Sequence, residues 1–250
     1  MTGPVLLVGA GPGSADLLTV RALRAIEGAQ AILYDALVGE EVLALLPATA
    51  LRIQTGKRSG RTSMKQDTIN RLMLRLARRG LTVVRLKGGD PSIFGRSGEE
   101  RAFLEAHGVE VEIVPGVTAA SAAAAQFAFP LTHRRHARRV VFATARVEDG
   151  LAGEWEDFAD PQTTAVFYMG RDAAPAIAQR LIAAGRSPAT PALAVENAGR
   201  PPARLVASTL ANLPDDLAAI AATGPVLIVV GEVAAQARAE VLAEALRHAL

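Results

Sequence analysis

Leu81-Thr-Val-Val-Arg-Leu-Lys-Gly-Gly-Asp-Pro-Ser-Ile-Phe-Gly-Arg-Ser-Gly-Glu-Glu100 is the stretch that decides the fold class. Val83, Val84 and Leu86 form an apolar run bounded by turn residues, the pattern of a strand buried in an α/β sheet. The run breaks at Gly88-Gly89-Asp90-Pro91, where two glycines permit a sharp turn and a close ligand approach. Pro91 keeps Asp90 out of helical conformation. Helical sequence resumes near Ser97, with Glu99 and Glu100 in the first turn, where the helix dipole favours carboxylates. Strand, glycine loop and helix in that order place the loop at the carboxyl end of a strand, where open α/β sheets bind ligands. The loop carries Asp90, Arg96 and the apolar pair Ile93 and Phe94. A tight turn with a solvated Asp and Arg is the plain alternative.

Outward from this stretch, 250 residues with half of them apolar suffice for one large or two ordinary α/β domains. No run of about 18 uncharged apolar residues exists, so no membrane span is expected. Val5-Leu-Leu-Val8 begins a strand with no basic n-region or cleavage site before it, so no signal peptide is expected and a cytoplasmic location is. The absence of cysteine excludes disulfides, thiolate metal sites and thiol catalysis. Positive charge rests on 24 Arg against 3 Lys, within a net charge of +2. Arginine suits bidentate carboxylate binding. The densest cluster, His133-Arg-Arg-His-Ala-Arg-Arg139, fits nucleic acid by charge. No basic segment alternates with aromatic stacking residues, however, so a polyanionic small molecule is the better partner.

A second glycine loop, Gly9-Ala-Gly-Pro-Gly13, follows the first strand and precedes a helix expected from Leu17 to Glu27. Gly9 and Gly11 resemble the start of a dinucleotide fingerprint. The third glycine is replaced by Ser14, and Pro12 lacks the N–H that a phosphate would need. Asp35 ends a second strand, Ala31–Tyr34, as a ribose-binding acid or a helix N-cap would. Gly56-Lys-Arg-Ser-Gly-Arg-Thr62 is a cationic polar loop. Helices are expected over 40–46, 64–79 and 100–107, and strands over 51–53 and 109–114. Pro115-Gly-Val-Thr-Ala-Ala-Ser121 opens a small-residue helix. After the basic run, strands are expected over 140–143, 164–168, 192–195, 205–209 and 225–230. Helices are expected over 173–184, 210–222 and 234–250, and a polar loop over 148–161. Met169 reads most simply as a core methionine. No fixed-period repeat is present.

Several strings, in order, carry a resemblance. They are G-A-G-P-G-x-x-x-L-L-T from Gly9, L-Y-D-x-L-V from Leu33, G-K-R-x-G from Gly56 and G-G-D-P-x-I-F-G-R-x-G-E-E from Gly88. P-G-x-T-A from Pro115, P-L-T-H-R from Pro130, Y-M-G from Tyr168 and G-P-x-L-I-V-V-G-E-V from Gly224 follow. Together they resemble the uroporphyrinogen-III C-methyltransferases of the tetrapyrrole methylase family, from Val5 to Val233. The resemblance implies an α/β protein of two α/β domains, residues 1–134 and 135–250, with a cofactor cleft between them. It also implies a homodimer that uses S-adenosylmethionine and no metal. The implied reaction methylates uroporphyrinogen III at C2 and C7, giving precorrin-2. No dehydrogenase–chelatase region precedes these motifs, so a single-function enzyme is expected.

By the same resemblance Asp35 is the catalytic base and Lys57 a proton donor. Pro12, Gly88, Gly89, Asp90, Ile93, Thr118, Ala119, Met169 and Ala198 bind the cofactor, and Thr223 and Gly224 line its cleft. Arg96 and Arg134 bind substrate carboxylates, with Arg58, Arg61 and Arg135 as further candidates. Nucleic acid and membrane are not expected partners. Thr144-Ala-Arg146 departs from the family's T-G-H. A later precorrin methyltransferase of the same fold is the nearest alternative reading. A methyltransferase acting on RNA or protein, or a nucleic-acid binder, is a more distant one.

Overall fold

The computed structural model of the chain describes residues 2–56, 64–145 and 155–238. It forms two compact units, Met1–Ala119 and Ala120–Leu250. That junction falls earlier than the 134/135 boundary expected from the sequence, because the helix after Pro115 groups with the second unit.

The first unit alternates β1 (Val5–Gly9), α1 (Val20–Glu27), β2 (Ala31–Tyr34), α2 (Glu40–Ala44), β3 (Leu51–Gln54), α3 (Gln66–Ala77), β4 (Val83–Lys87), α4 (Ser97–Ala106) and β5 (Val111–Val114). The sheet order is β3-β2-β4-β1-β5, and every pairing is parallel. Side chains alternate across the sheet with the strand period of two. Val8, Ile32, Val84 and Leu86 therefore meet Ala22 and Ile26 of α1 and Val42 of α2 on one face. Val5, Leu7, Leu33 and Val83 meet Met73 and Leu76 of α3 and Leu104 of α4 on the other. Adjacent strands β1 and β4 thus send their helices to opposite faces. That is the topological switch point at whose carboxyl end an α/β sheet opens a ligand crevice.

Helix α1 starts at Val20, later than the expected Leu17. A 3-10 turn, Ala15–Leu17, comes first, and Thr19 caps the helix by accepting from the Ala22 N–H at 3.1 Å. The turn is itself held by the Glu41 carboxylate, which accepts from the Ala15 N–H at 3.0 Å.

Helix α5 (Ala119–Gln126) opens at the junction between the units. The second unit continues with β6 (Arg139–Thr144), α6 (Trp155–Ala159), β7 (Thr163–Tyr168), α7 (Ala174–Ala183), β8 (Pro191–Glu196), β9 (Arg204–Thr209), α8 (Leu213–Ala219) and β10 (Val226–Val230). Its sheet order is β6-β7-β10-β8-β9. Only the β6–β7 pair is parallel; the other three pairings are antiparallel. Part of the expected polar loop over 148–161 is instead α6. Trp155 stacks on Phe167 at 5.9 Å and Phe158 packs against the same ring, so burial of aromatic surface outweighs the local polarity. Arg186, 2% exposed, donates to the carbonyls of Phe158, Asp160 and Thr163 and so ties α6 to β7. Burial lowers its guanidinium pKa from the ordinary value. Of the expected C-terminal helix, a 3-10 turn over Glu232–Gln236 is seen, and residues 239–250 lie outside the described residues.

Candidate active site

Three loops meet at the carboxyl end of the first sheet, and glycine makes the meeting possible. Gly11 follows β1 and Gly89 follows β4. The two exchange backbone hydrogen bonds, Gly11 N–H to Gly89 O at 3.2 Å and Gly89 N–H to Gly11 O at 2.7 Å. Both take the left-handed backbone, with φ of +66° and +70°. Gly116, from the loop after β5, lies so close that a Cβ there would stand 2.3 Å from the Gly89 carbonyl oxygen. A Cβ added at Gly89, by contrast, meets nothing within 4 Å. That open side is where a ligand can approach the backbone, so the residues present fit a bound small molecule. Pro12 lies buried in the turn after Gly11.

Asp90 ties the junction together. Its Oδ2 accepts from the Gly116 N–H at 2.9 Å and its Oδ1 from the Ser92 N–H at 2.7 Å. Asp35 does similar work one strand away. Its Oδ1 accepts from the Leu37 N–H at 2.9 Å and its Oδ2 from the Gly88 N–H at 3.3 Å. The N-cap alternative for Asp35 does not hold, since α2 starts at Glu40 with Gly39 as its cap. The structure therefore brings Asp35, Gly88, Gly89 and Asp90 together with the Pro115–Thr118 loop. Thr118 and Ala119 stand at the start of α5, half-buried. Lys57, Arg58 and Arg61 lie outside the described residues.

The far end of the central loop is less regular. Phe94 and Arg96 both take the left-handed backbone, at φ +51° and +56°, which is uncommon for residues with a side chain. Ile93 is half-buried, while Phe94 is 43% exposed. The Arg96 guanidinium makes a bidentate pair with Glu99, Nε to Oε1 at 2.8 Å and a terminal nitrogen to Oε2 at 2.6 Å. Those hydrogen bonds hold the Glu99 carboxyl below its ordinary pKa. Glu99 is a partner of Arg96 that the sequence reading did not assign.

Beneath the loop lies a buried charged group that the sequence reading also missed. Glu100 is fully buried, and its carboxylate accepts from Lys87 Nζ at 2.8 Å, Arg85 Nε at 3.2 Å and Gln66 Nε2 at 3.0 Å. The available signal was two cations at alternate positions of an otherwise apolar strand. Burial first, and the Arg85 charge second, lower the Lys87 pKa from its ordinary value, while Glu100 and Asp35 act in the opposite direction.

In the second unit Met169 is not a core residue. It is 47% exposed, with φ +58°, at the carboxyl end of β7. Ala198 is 8% exposed and sits between Asn197 at φ +56° and Gly199 at φ +72°. Alanine is accommodated because the left-handed positions fall on its neighbours. The turn is pinned by Glu196, 2% exposed, which accepts from the Thr223 and Gly224 N–H groups at 2.7 and 2.6 Å and pairs with Arg204. Burial pushes the Glu196 carboxyl up, but the Gly224 hydrogen bond, then Arg204 and Thr223, bring it below its ordinary pKa. Arg134 and Arg135 are exposed on a tight turn closed by His133 and Ala137, on which the His133 and His136 rings lie 4.7 Å apart.

The sequence matches the family described as Tetrapyrrole (Corrin/Porphyrin) Methylases over residues 4–214. Among curated relatives, the siroheme synthase of Pseudomonas aeruginosa is 48% identical over 233 residues, 93% of this chain and 50% of that protein. The siroheme synthase of Chromobacterium violaceum is 48% identical over 232 residues, 92% of this chain and 49% of that protein. The chain thus spans about half the length of the curated relatives it matches. Among solved structures, uroporphyrin-III C-methyl transferase from Thermus thermophilus, complexed with S-adenyl homocysteine, is similar with a TM-score of 0.79 and 44% identity, covering 92% of this chain and 98% of that one. A cobalt precorrin-4 methyltransferase is similar with a TM-score of 0.81 and 30% identity, over 91% and 94% of the two chains.

Proposed function

The chain belongs to the tetrapyrrole (corrin/porphyrin) methylase family, and from that premise we propose that it methylates uroporphyrinogen III at C2 and C7, using S-adenosylmethionine. The products are precorrin-2 and S-adenosylhomocysteine. The observation that carries the reading is the glycine junction at the carboxyl ends of β1, β4 and β5, with the Asp35 carboxylate fixed beside it. The 44% identity to the Thermus thermophilus enzyme supports the choice of substrate over the more distant precorrin-4 methyltransferase.

The donor supplies an electrophilic methyl on a sulfonium. An electron-rich pyrrole carbon takes that methyl, and the sulfur keeps the bonding pair as a thioether. The ring then gives up a proton to restore conjugation, and Asp35 receives it. Each Asp35 oxygen accepts one N–H and keeps a lone pair for that proton. The chief task of the chain is to hold carbon, methyl and sulfur in line. Pro12, Gly88, Gly89, Asp90, Ile93, Thr118 and Ala119 are assigned to donor binding in the first unit, and Met169 and Ala198 in the second. Lys57 is assigned as proton donor. Arg96 and Arg134 are assigned to the substrate's carboxylates. The assembly is assigned as a homodimer and the location as cytoplasmic. Among the described residues no helix is long and apolar enough to cross a membrane.

Incubating the purified chain with uroporphyrinogen III and methyl-labelled S-adenosylmethionine tests the reading. The product is expected to carry two labelled methyl groups. An unchanged ring mass, with methylation only of a precorrin offered in its place, contradicts it.

A further inference from the structure

Arg85, Lys87 and Glu100 have no task in the reaction proposed above, yet they form a built site. Arg85 and Lys87 alternate along β4 and so face the same side of the sheet. Glu100 comes from the first turn of α4 and lies between them, with side chains 5%, 5% and 0% exposed. Burying three charges is costly, and mutual attraction repays the loss of hydration only where the geometry is complete. Here the set is not neutral, since two cations share one carboxylate. Asp35 directly follows the neighbouring strand β2, whose last residue, Tyr34, stands opposite Leu86, so Asp35 comes level with Lys87. Asp35 also accepts from the N–H of Gly88, the residue that follows Lys87. A line of contacts therefore runs from Arg85 and Glu100 to the Lys87 side chain, and through the backbone of Lys87 and Gly88 to the Asp35 carboxylate. Of the donor-binding residues in this loop, those from Gly89 onward are held separately, by the Gly11–Gly89 pair and by Asp90 on Gly116.

We propose that Lys87, locked in place by Glu100 and Arg85, is a positioning residue that fixes the Asp35 carboxylate against Gly88. It acts through Gly88 and Asp35 and leaves the donor-binding residues from Gly89 onward undisturbed. The kinetic part of the proposal rests on the methyl-transfer reading; the structural part does not.

The test uses Lys87→Met, Glu100→Gln and the double variant in the full chain. In amide hydrogen exchange followed by NMR, the Leu37 and Gly88 amides are expected to exchange at least about tenfold faster in each single variant. Gly89 and Gly116 are expected to stay within about threefold. Turnover is expected to fall at least about tenfold while the Kd for S-adenosylhomocysteine stays within about threefold. The double variant is expected to match the worse single one, because both act along one line. If these variants do not fold, Gln66→Ala loosens Glu100 without removing a charge and is expected to speed Gly88 exchange alone, by about twofold or more. Unchanged Gly88 exchange in a folded variant, or equal changes at Gly88 and Gly116, overturns the proposal. A parent chain without turnover overturns the methyl-transfer reading, and the exchange measurement still decides the positioning role.

Discussion

Asp35 and Asp90 are both half-buried carboxylates just beyond a parallel strand, and each joins its own turn to a neighbouring loop. The base role proposed for Asp35 thus rests on its motif and not on a difference in surroundings. Asp90 spends its oxygens on Ser92 and Gly116, which fixes two loops to each other. Asp35 holds one N–H of its own turn and one of the loop after β4. Asp35→Asn is therefore expected to lower kcat by about a hundredfold or more, the scale of general-base catalysis, with the melting temperature nearly unchanged. A variant with near-parental turnover removes Asp35 as the base. Arg96 is already held by Glu99, so a substrate carboxylate binds it by displacing that acid. Arg96→Ala is expected to raise the substrate KM about ten- to a hundredfold and to leave donor affinity nearly intact. Equal losses of both argue against a substrate clamp. The places of Asp35 just after β2 and of Arg96 just before α4 were legible in their motifs. The Arg96–Glu99 pair was not, since i,i+3 proximity does not say which acid a left-handed residue will meet.

Strand–loop–helix order was legible around β4 because each signal there is local: an apolar run, two glycines, a proline and then acids at a helix start. The union of three loops was not, because Gly9, Gly89 and Gly116 become neighbours only when β1, β4 and β5 pair. The same limit hid the Glu100 network, whose partners Lys87 and Arg85 stand 13 and 15 residues away. Met169 was misread as core since an apolar residue after a buried strand normally continues inward. Its left-handed backbone at the strand end turns it to solvent instead. Gly116→Ala is expected to destabilise the first unit by about 1–3 kcal/mol, since its Cβ meets backbone that cannot yield cheaply. Gly98→Ala, in α4 with nothing within 4 Å, is expected to stabilise by about 0.5–1 kcal/mol. Paired thermal melts check both, and equal shifts in one direction contradict the packing argument.

At the scale of the whole molecule, two sheets of different construction share one chain: an all-parallel sheet with a switch point, and a mixed, mostly antiparallel one. The α/β class of the first was readable from alternating strand and helix patterns. The antiparallel order of the second was not, because strand direction depends on pairing that short apolar runs do not encode. Glu196 gives the second unit a pH signature. Its folded pKa lies below the unfolded value, so its contribution is fully present above about pH 4.3 and is lost as pH falls through the folded value. The stability gap between the parent and Glu196→Gln is expected to be constant near neutrality and to narrow below about pH 4. A gap that does not change down to about pH 3 contradicts the assignment. The central claim is that the loops at the carboxyl end of the first sheet hold the methyl donor. Amide hydrogen exchange with and without saturating S-adenosylhomocysteine tests it most directly. The account predicts new protection at residues 9–13, 88–93 and 115–119, and ligand-bound exchange unchanged in those segments contradicts it.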